Sequence, residues 1–482
     1  MKTIHIALLS LTLLAGGWIA ACSINPATGE RQLSLVGEAQ EIEIGRENDR
    51  QVIQSMGLVD DPALQDYVDR LGQRLAAQSE RPELPWTFRV VDDPVVNAFA
   101  LPGGFIYVTR GILTHFNSEA ELAGVLGHEI GHVTGRHSVE RLSKAQLTQI
   151  GLGVGMVLEP ELQQYGNLAQ MGLGILFLKF SRDDERQADD LGLRYVGRTG
   201  YDPEEMIDVF EMLGRVSAAQ QEGRLPGWLS THPAPENRVE RLSGQIAQAP
   251  GDFGREVNRD GYLRQIDGLA FGENPREGFF EDGTFYHPDL AFSLDFPRGW
   301  QTSNTRQAVA ALSPNRDAVV VLTLSDQRDV REAESTFFSQ TGVQAGQDVR
   351  PRYGDSPARS RVFFVERGQG SNLEGLVSFV EHGDNVYQIL GYTLSDRARN
   401  YQDALTGSIW SFRRVRDRSI LDVQPKRLEI VELPRAMTLR QFADRYPSTV
   451  DLETLVLLNE ARSGDEQFSA GALLKRVVGG RS

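Results

Sequence analysis

Apolar residues after Ser118 recur at helical spacing. Leu122, Leu126 and Ile130 stand four apart, with Val133 one turn on, which predicts a helix laying that stripe on a core. Ser118 and Glu121 form the S-x-x-E pattern of a capping box just before the run Leu122–Leu126 and set the helix start. Upstream, Val90-Val91 and Phe105-Ile106-Tyr107-Val108 read as strands, with Pro102-Gly103-Gly104 supplying a turn. Ser181–Asp189 reads as a second helix. From Phe285 the period changes to two: Phe292, Leu294 and Phe296 alternate, and Val319–Leu324 and Val362–Val365 are β-rich runs. Leu376–Val380 and Val386–Leu390 flank Glu381–Asn385, a hairpin turn signal. A helix near Asn400–Phe412, with Ile409 and Trp410, is expected to cover one face of these strands.

The pattern divides a chain of 482 residues, too long for one ordinary domain, into segments. Residues 22–250 are mainly helical with a small sheet. Residues 251–283 loosen into Gly- and Asp-rich sequence, read as a linker with some helix. Residues 284–415 form an α+β domain without visible catalytic residues, loosely similar to PsbP-like modules. Residues 425–480 resemble a βααβ LysM-like module, through Thr438-Leu439, Phe442-Ala443, Tyr446, Leu455–Asn459 and Leu473–Val478. True LysM modules bind glycan; protein docking or a purely structural role fits the partial match equally well.

Composition adds little until the N-terminus. Lys+Arg 50 against Asp+Glu 66 gives a formal charge of −16, which favours solubility, and no Lys/Arg-rich run appears, which argues against a nucleic-acid partner. Lys2 precedes an apolar stretch from Ile4 to Ala21, too compact for a permanent span and shaped like a secretory signal, residues 1–21. It ends Ile19-Ala20-Ala21-Cys22, and Cys22 is the sole cysteine, so the chain can form no internal disulfide. The pattern resembles a bacterial lipobox, in which the cysteine is lipidated; Ser23 after it resembles an outer-membrane sorting signal. No further run reaches 18 apolar residues. Ile150–Leu158 and Met171–Phe180 are shorter and glycine-rich, fit for core helices or for walls beside a site.

The candidate chemistry sits inside the first helix. His128-Glu129-Ile130-Gly131-His132 puts two imidazoles four residues apart on one face, able to bind one metal ion, with Glu129 pointing toward its water. A zinc ion held so makes water an acid of pKa roughly 7, whose proton the glutamate takes as a peptide carbonyl is attacked. Two histidines leave such a zinc one protein ligand short. The extended pattern H-E-x-x-H-x-x-G-x-x-H would use Gly135, but it needs histidine where Ser138 stands. His137 is one residue short and reads as structural or as a support behind the ligands. Glu185 is the better third ligand. Asp189, on the same helical face four residues on, can accept an N–H from a ligating imidazole and fix its tautomer.

Three segments carry a family resemblance: Asn97-Ala-Phe-Ala-Leu-Pro-Gly-Gly, Gly127-His-Glu-Ile-Gly-His, and Ser181-Arg-x-x-Glu-x-x-Ala-Asp. They resemble the CAAX-prenyl-protease-type zinc metallopeptidases, and more narrowly the soluble periplasmic HtpX/BepA-like branch, over roughly residues 25–245. Asn25-Pro-Ala-Thr-Gly-Glu-Arg-Gln-Leu-Ser-Leu is similar to the lead-in of that branch's lipoprotein members. The resemblance implies one Zn²⁺ per chain on His128, His132 and Glu185, with Glu129 as general base and Asp189 as support. Thr231-His232-Pro233-Ala234-Pro235-Glu236-Asn237-Arg238 resembles a segment near the end of the same family's catalytic domain, which makes His232 a catalytic candidate that approaches the metal together with Arg238, with helix capping as its structural alternative. Gln187 departs from it, since many relatives carry glutamate there. The expected fold is multidomain: a mainly α-helical H-E-x-x-H zinc peptidase domain with a small β-sheet, then the α+β domain, then the LysM-like module. The expected function is a zinc endopeptidase of the periplasm, lipid-anchored to the outer membrane through Cys22. It would act on polypeptides such as misfolded outer-membrane proteins, with assembly machinery or peptidoglycan as partners of the C-terminal module. The rival expectations are a chaperone or assembly factor with little proteolysis, and a cell-wall-binding scaffold. A strand beside the zinc, from the Asn97–Gly104 region, could align a peptide by backbone pairing, or be an ordinary hairpin.

Overall fold

A computed structural model describes residues 22–152, 179–219, 227–233, 237–248, 253–354, 356–366 and 372–480. The signal stretch 1–21, most of the apolar runs 150–158 and 171–180, and residues 234–236 of the His232 segment lie outside the described residues. The chain divides into two compact units. One comprises the residues up to Gly272 together with Lys426–Val478; the other is built from Glu273–Pro425.

The first unit opens with a short ladder, β1 (Cys22–Ile24) against β2 (Arg31–Leu33), followed by α1 (Glu38–Met56) and α2 (Pro62–Ala76). Asp61 starts α2 by accepting from the amides of Ala63 and Leu64, with Pro62 in the first turn where no donor is missed. A three-stranded sheet follows: β3 (Thr87–Val91), β4 (Ala98–Leu101) and β5 (Phe105–Thr109), in the order β3-β5-β4. β5 runs parallel to β3, with Thr87 opposite Phe105, and antiparallel to β4, with Leu101 opposite Phe105. Pro102-Gly103-Gly104 thus makes the β4–β5 hairpin, and φ of 81° and 99° at the two glycines is open to residues without a Cβ.

α3 (Glu119–Thr134) is the central helix. The Ser118 side chain accepts from the Glu121 amide, as the capping pattern predicts, but the Glu121 carboxylate reaches past Ser118 to the amide of Asn117. A single apolar stripe was the expectation from the spacing. Instead every residue of α3 is buried, because α2, α5 (Arg182–Thr199), α6 (Glu204–Ala219) and the sheet enclose it. α4 (His137–Leu152), α7 (Gly227–Thr231) and α8 (Arg238–Gln248) complete the set. Ser181 and Asp184 form a full capping box at the start of α5, and Gly200, at φ 92°, ends it.

Residues 426–478 belong to this unit. Lys426 pairs with Phe271 and Arg427 with Ala270, so the chain leaves and re-enters at adjacent ladder positions. Leu428, Leu458, Leu473 and Val477 join the core that contains Leu126 and Ile130. Lys475 is fully buried, and its ammonium donates to the carbonyls of Thr114, His115 and Phe116 at 3.1, 3.2 and 2.9 Å. Those carbonyls lie immediately before the Ser118 cap, so a residue far along the chain braces the start of α3. The Asn117 side chain adds a bond to the Leu458 carbonyl.

The second unit is β-rich. A seven-stranded antiparallel sheet runs Gln301–Asn304, Ala308–Leu312, Ala318–Leu324, Asn385–Leu394, Leu373–His382, Ala358–Val365, Val343–Val349. The expected hairpin closes with His382 opposite Asn385, and the expected helix, Ala398–Trp410, buries Leu405 and Ile409. Phe292, Leu294 and Phe296 lie in its core as their alternation predicts. Among the described residues no helix is long and apolar enough to cross a membrane.

Replacing Lys475 with alanine takes the ammonium donor from the buried carbonyls of Thr114 and Phe116, while His115 keeps the Asn117 amide, and leaves a void along the stem. The expected cost is about 2–4 kcal/mol of stability. Urea unfolding of the full chain measures it, and an unchanged midpoint would show that this brace contributes nothing.

Candidate metal centre

α3 and α5 approach closely because both contact faces are nearly bare. A Cβ added to Gly131 would lie 2.7 Å from the Ala188 carbonyl oxygen, and one on Gly192 would lie 2.9 Å from the His128 backbone nitrogen. The approach carries Glu185 and Asp189, one turn apart on α5, to the two histidines of α3. His232, at the end of α7, closes the cluster from the other side. His128, His132, Glu185 and His232 each present a donor atom, all within 4.8 Å of one another and all buried.

The donors fit a zinc ion. Nitrogen and oxygen ligands at about 2.0–2.1 Å in a tetrahedron stand about 3.3 Å apart. Here His132 Nε2 is 3.0 Å from His128 Nε2, and His128 Nε2 is 3.4 Å from His232 Nδ1. Glu185 lies 3.5 Å from each of His128 Nε2 and His132 Nε2 and 3.0 Å from His232 Nδ1. Burial keeps the imidazoles in the neutral, ligating form: it lowers the pKa of His128, sends that of His132 well below the ordinary range and brings His232 down to about 4. Burial also pushes Glu185 up to about 7. A compact group of neutral imidazoles with one costly carboxyl is a site made for a cation.

Glu129 points into the same space without joining the donor set. Its Oε1 accepts from Trp228 Nε1 at 3.3 Å and lies 3.6 Å from His232 Nε2. Its Oε2 is buried with no hydrogen-bond partner, and so is His232 Nε2. Burial raises the pKa of Glu129, which strengthens it as a base.

Behind the donors stands a charged layer. His128 Nδ1 faces Asp189 Oδ1 at 3.0 Å. Burial alone would raise the Asp189 pKa, but Arg238 and His128 hold it below the usual value. The guanidinium of Arg238 grips Asp189, with Nε 2.9 Å from Oδ2, and Arg241 Nη2 adds a bond of 2.8 Å. Arg238, expected to approach the metal, reaches the donor cluster from this layer, with Nη2 3.5 Å from Glu185 Oε2 and 3.3 Å from His128 Nδ1, and lies against the face of Phe210, 3.8 Å from its centroid.

Spacing brought the candidates His128, Glu129, His132, Glu185 and Asp189 to view and the family resemblance added His232, and they converge. Trp228, Phe180 and Arg241 were not singled out. Trp228 stacks on His232 with centroids 4.9 Å apart, and Phe180 stacks on His132 at 3.9 Å. Trp228 lies one helical turn before His232, a signal that was available in the sequence.

Residues 62–246 match the model of Peptidase family M48, a likeness in keeping with the three motifs. The "Beta-barrel assembly-enhancing protease" of Escherichia coli (strain K12) is 29% identical over 52% of this chain and 54% of its own length. The protein of the same name from Yersinia pestis is 32% identical over 48% and 51%. "Mitochondrial metalloendopeptidase OMA1" of Arabidopsis thaliana is 34% identical over 44% and 41%. The chain spans about half the length of the curated relatives it matches. Among solved structures, cyanobacterial PsbP from Synechocystis sp. PCC 6803 aligns with 27% of this chain and 91% of its own, at 16% identity and TM-score 0.23, too slight a likeness to bear on the fold.

A methyl group at Gly192 forces α5 away from the His128 backbone. Gly192→Ala is expected to cost about 1–3 kcal/mol by overpacking and to weaken zinc binding as Glu185 and Asp189 retreat. Thermal unfolding with and without zinc reads both effects; full retention of zinc affinity would separate the helix contact from the site.

Proposed function

We propose that this chain is a zinc-dependent endopeptidase of the bacterial cell envelope, acting on polypeptides in the quality control or assembly of outer-membrane proteins. The observation that carries the reading is the meeting of His128, His132 and Glu185 with the free carboxylate oxygen of Glu129 in one buried pocket. The printed name of the Escherichia coli and Yersinia relatives supports the barrel-assembly context. The lipobox at Cys22 supports an exported protein anchored to the outer membrane.

His128, His132 and Glu185 would hold the zinc. Bound there, zinc supplies the Lewis acidity that makes water acidic enough to react near neutral pH. Glu129 takes the proton of the attacking water on Oε2, while the Trp228 N–H fixes Oε1 and so aims the carboxylate. The same carboxyl then delivers the proton to the departing amine. Asp189 orients His128 by accepting its Nδ1–H, with Arg238 and Arg241 holding that carboxylate in place. His232 would serve as a fourth donor beside His128, His132 and Glu185, and its unpartnered Nε2 would offer a proton donor to negative charge developing on the substrate. β4 is an edge strand of its sheet, packed beside α3, and its outer edge suits an extended substrate segment. The LysM-like and PsbP-like readings of residues 425–480 and 284–415 fit docking to envelope assemblies or peptidoglycan.

Glu129→Gln is expected to keep stoichiometric zinc and to lower turnover of an unfolded outer-membrane protein by about 10²–10⁴-fold. Metal analysis and a cleavage assay check the two halves, and full activity in this variant would demote proteolysis to a side reaction of a chaperone. His232→Ala should change turnover while leaving the fold intact. A rate equal to that of the unmodified chain would take His232 out of the mechanism.

A further inference from the structure

The two histidines of α3 are backed in different ways. His128 has the Asp189 carboxylate. His132 has a neutral ring: its Nδ1 lies 2.9 Å from His137 Nδ1, at the start of α4. His137 Nε2 in turn lies 2.8 Å from Gln187 Oε1, and Gln187 Nε2 donates to Glu30 Oε2 at 3.4 Å. Only one proton arrangement satisfies this chain with His132 Nε2 facing the donor cluster. His132 carries its proton on Nδ1 and donates to His137; His137 carries its proton on Nε2 and donates to the Gln187 oxygen, which leaves the Gln187 amide hydrogens for Glu30. Glu185, Gln187 and Asp189, at alternate positions of α5, therefore address the cluster, the ring behind His132 and His128 in turn.

The ring of His137 has a fitted seat. A Cβ on Gly135 would come within 2.5 Å of His137 Nε2, so the glycine makes room for the imidazole. Arg136 turns the chain with φ 53°, a conformation that non-glycine residues rarely adopt without support. The lead-in segment supplies that support. Asn25 Nδ2 donates to the Gly135 carbonyl at 2.6 Å, and Gln32 Nε2 donates to the Gly135 and Arg136 carbonyls at 3.0 and 3.2 Å. Arg136 itself bonds Glu41 and the Val36 carbonyl.

We propose that His137, seated by Gln187 and by residues 25–32, is a positioning residue that fixes the tautomer and orientation of the ligand His132. The proposal rests on the zinc-site reading given above. It makes the segment just after Cys22 part of the metal centre's framework, and it gives Gln187 the task of presenting a neutral acceptor. Ligand-orienting partners of this kind are worth roughly 10–100-fold in metal affinity.

Competition with a chelator on the full chain gives zinc affinity without any assay of cleavage. His137→Phe keeps the ring shape but removes the acceptor, and is expected to weaken zinc binding about 10–100-fold. His137→Gln offers a carbonyl oxygen to the same N–H and should recover most of the affinity. Gln187→Met, which leaves His137 in place without its acceptor, should fall between the two. The unfolding midpoint of the metal-free protein should move alike in the two His137 variants. Unchanged affinity in His137→Phe would overturn the proposal. So would equal losses in His137→Phe and His137→Gln, since a packing residue would behave that way. An unmodified chain that takes up no zinc would overturn the metallopeptidase reading itself, a result that these ratios cannot mimic.

Discussion

The contact of α3 with α5 is the constraint on which the rest depends. Glycines at 127, 131 and 192 let the two backbones touch, with Gly131 against Ala188 and Gly192 against His128. Glu185 and Asp189 are short side chains on α5, and they reach two imidazoles on α3 only because nothing larger than hydrogen stands between the helices. Full burial of α3 follows from the same contact, since a helix that carries its chemistry on one face and its core stripe on another must be packed all round. Burial then sets the electrostatics: imidazoles neutral, Glu129 basic, Glu185 costly without a cation.

Three buried carboxylates, those of Glu129, Glu185 and Asp189, would be unstable in so dry a place without compensation. Arg238 and Arg241 provide it at Asp189, and their attraction outweighs the desolvation that would otherwise raise its pKa. Arg238 also reaches Glu185, its Nη2 lying 3.5 Å from Oε2, so the cation layer steadies both carboxylates on α5. Phe180 and Trp228 wall the near side with aromatic faces, which keeps the imidazole planes in place and excludes water from His132 and His232.

Much of the centre was legible because its spacings are helical. Two histidines at i and i+4, and Glu185 with Asp189 at the same spacing, share a face in any α-helix, so their roles follow once the helices are recognised. The count that failed at Ser138 was informative for the same reason. What periodicity could not reveal are contacts across long separations. Nothing local in Lys475 marks it as the donor to Thr114, His115 and Phe116, because a lysine beside apolar residues reads as a surface position. Gly135 is instructive in another way: as part of a longer ligand motif it had no partner, and its function is to vacate the space that His137 fills. Strands of the second unit announced themselves by alternation, whereas the order of its seven-stranded sheet depends on pairings that alternation does not encode.

Phe271 and Lys426 stand opposite each other in one ladder. To the first unit, everything between them is topologically a hairpin turn, although that turn is a folded body with its own sheets. Closing a flexible loop of that length carries an entropy that grows with the logarithm of its residues. A body that folds by itself removes most of that freedom beforehand. The strand at Lys426, and with it the brace at Lys475, thus joins α3 on easier terms once the inserted body is complete. Construction order along the chain and assembly order in space are different sequences here, and strands beyond the inserted body finish a core begun by helices that precede it.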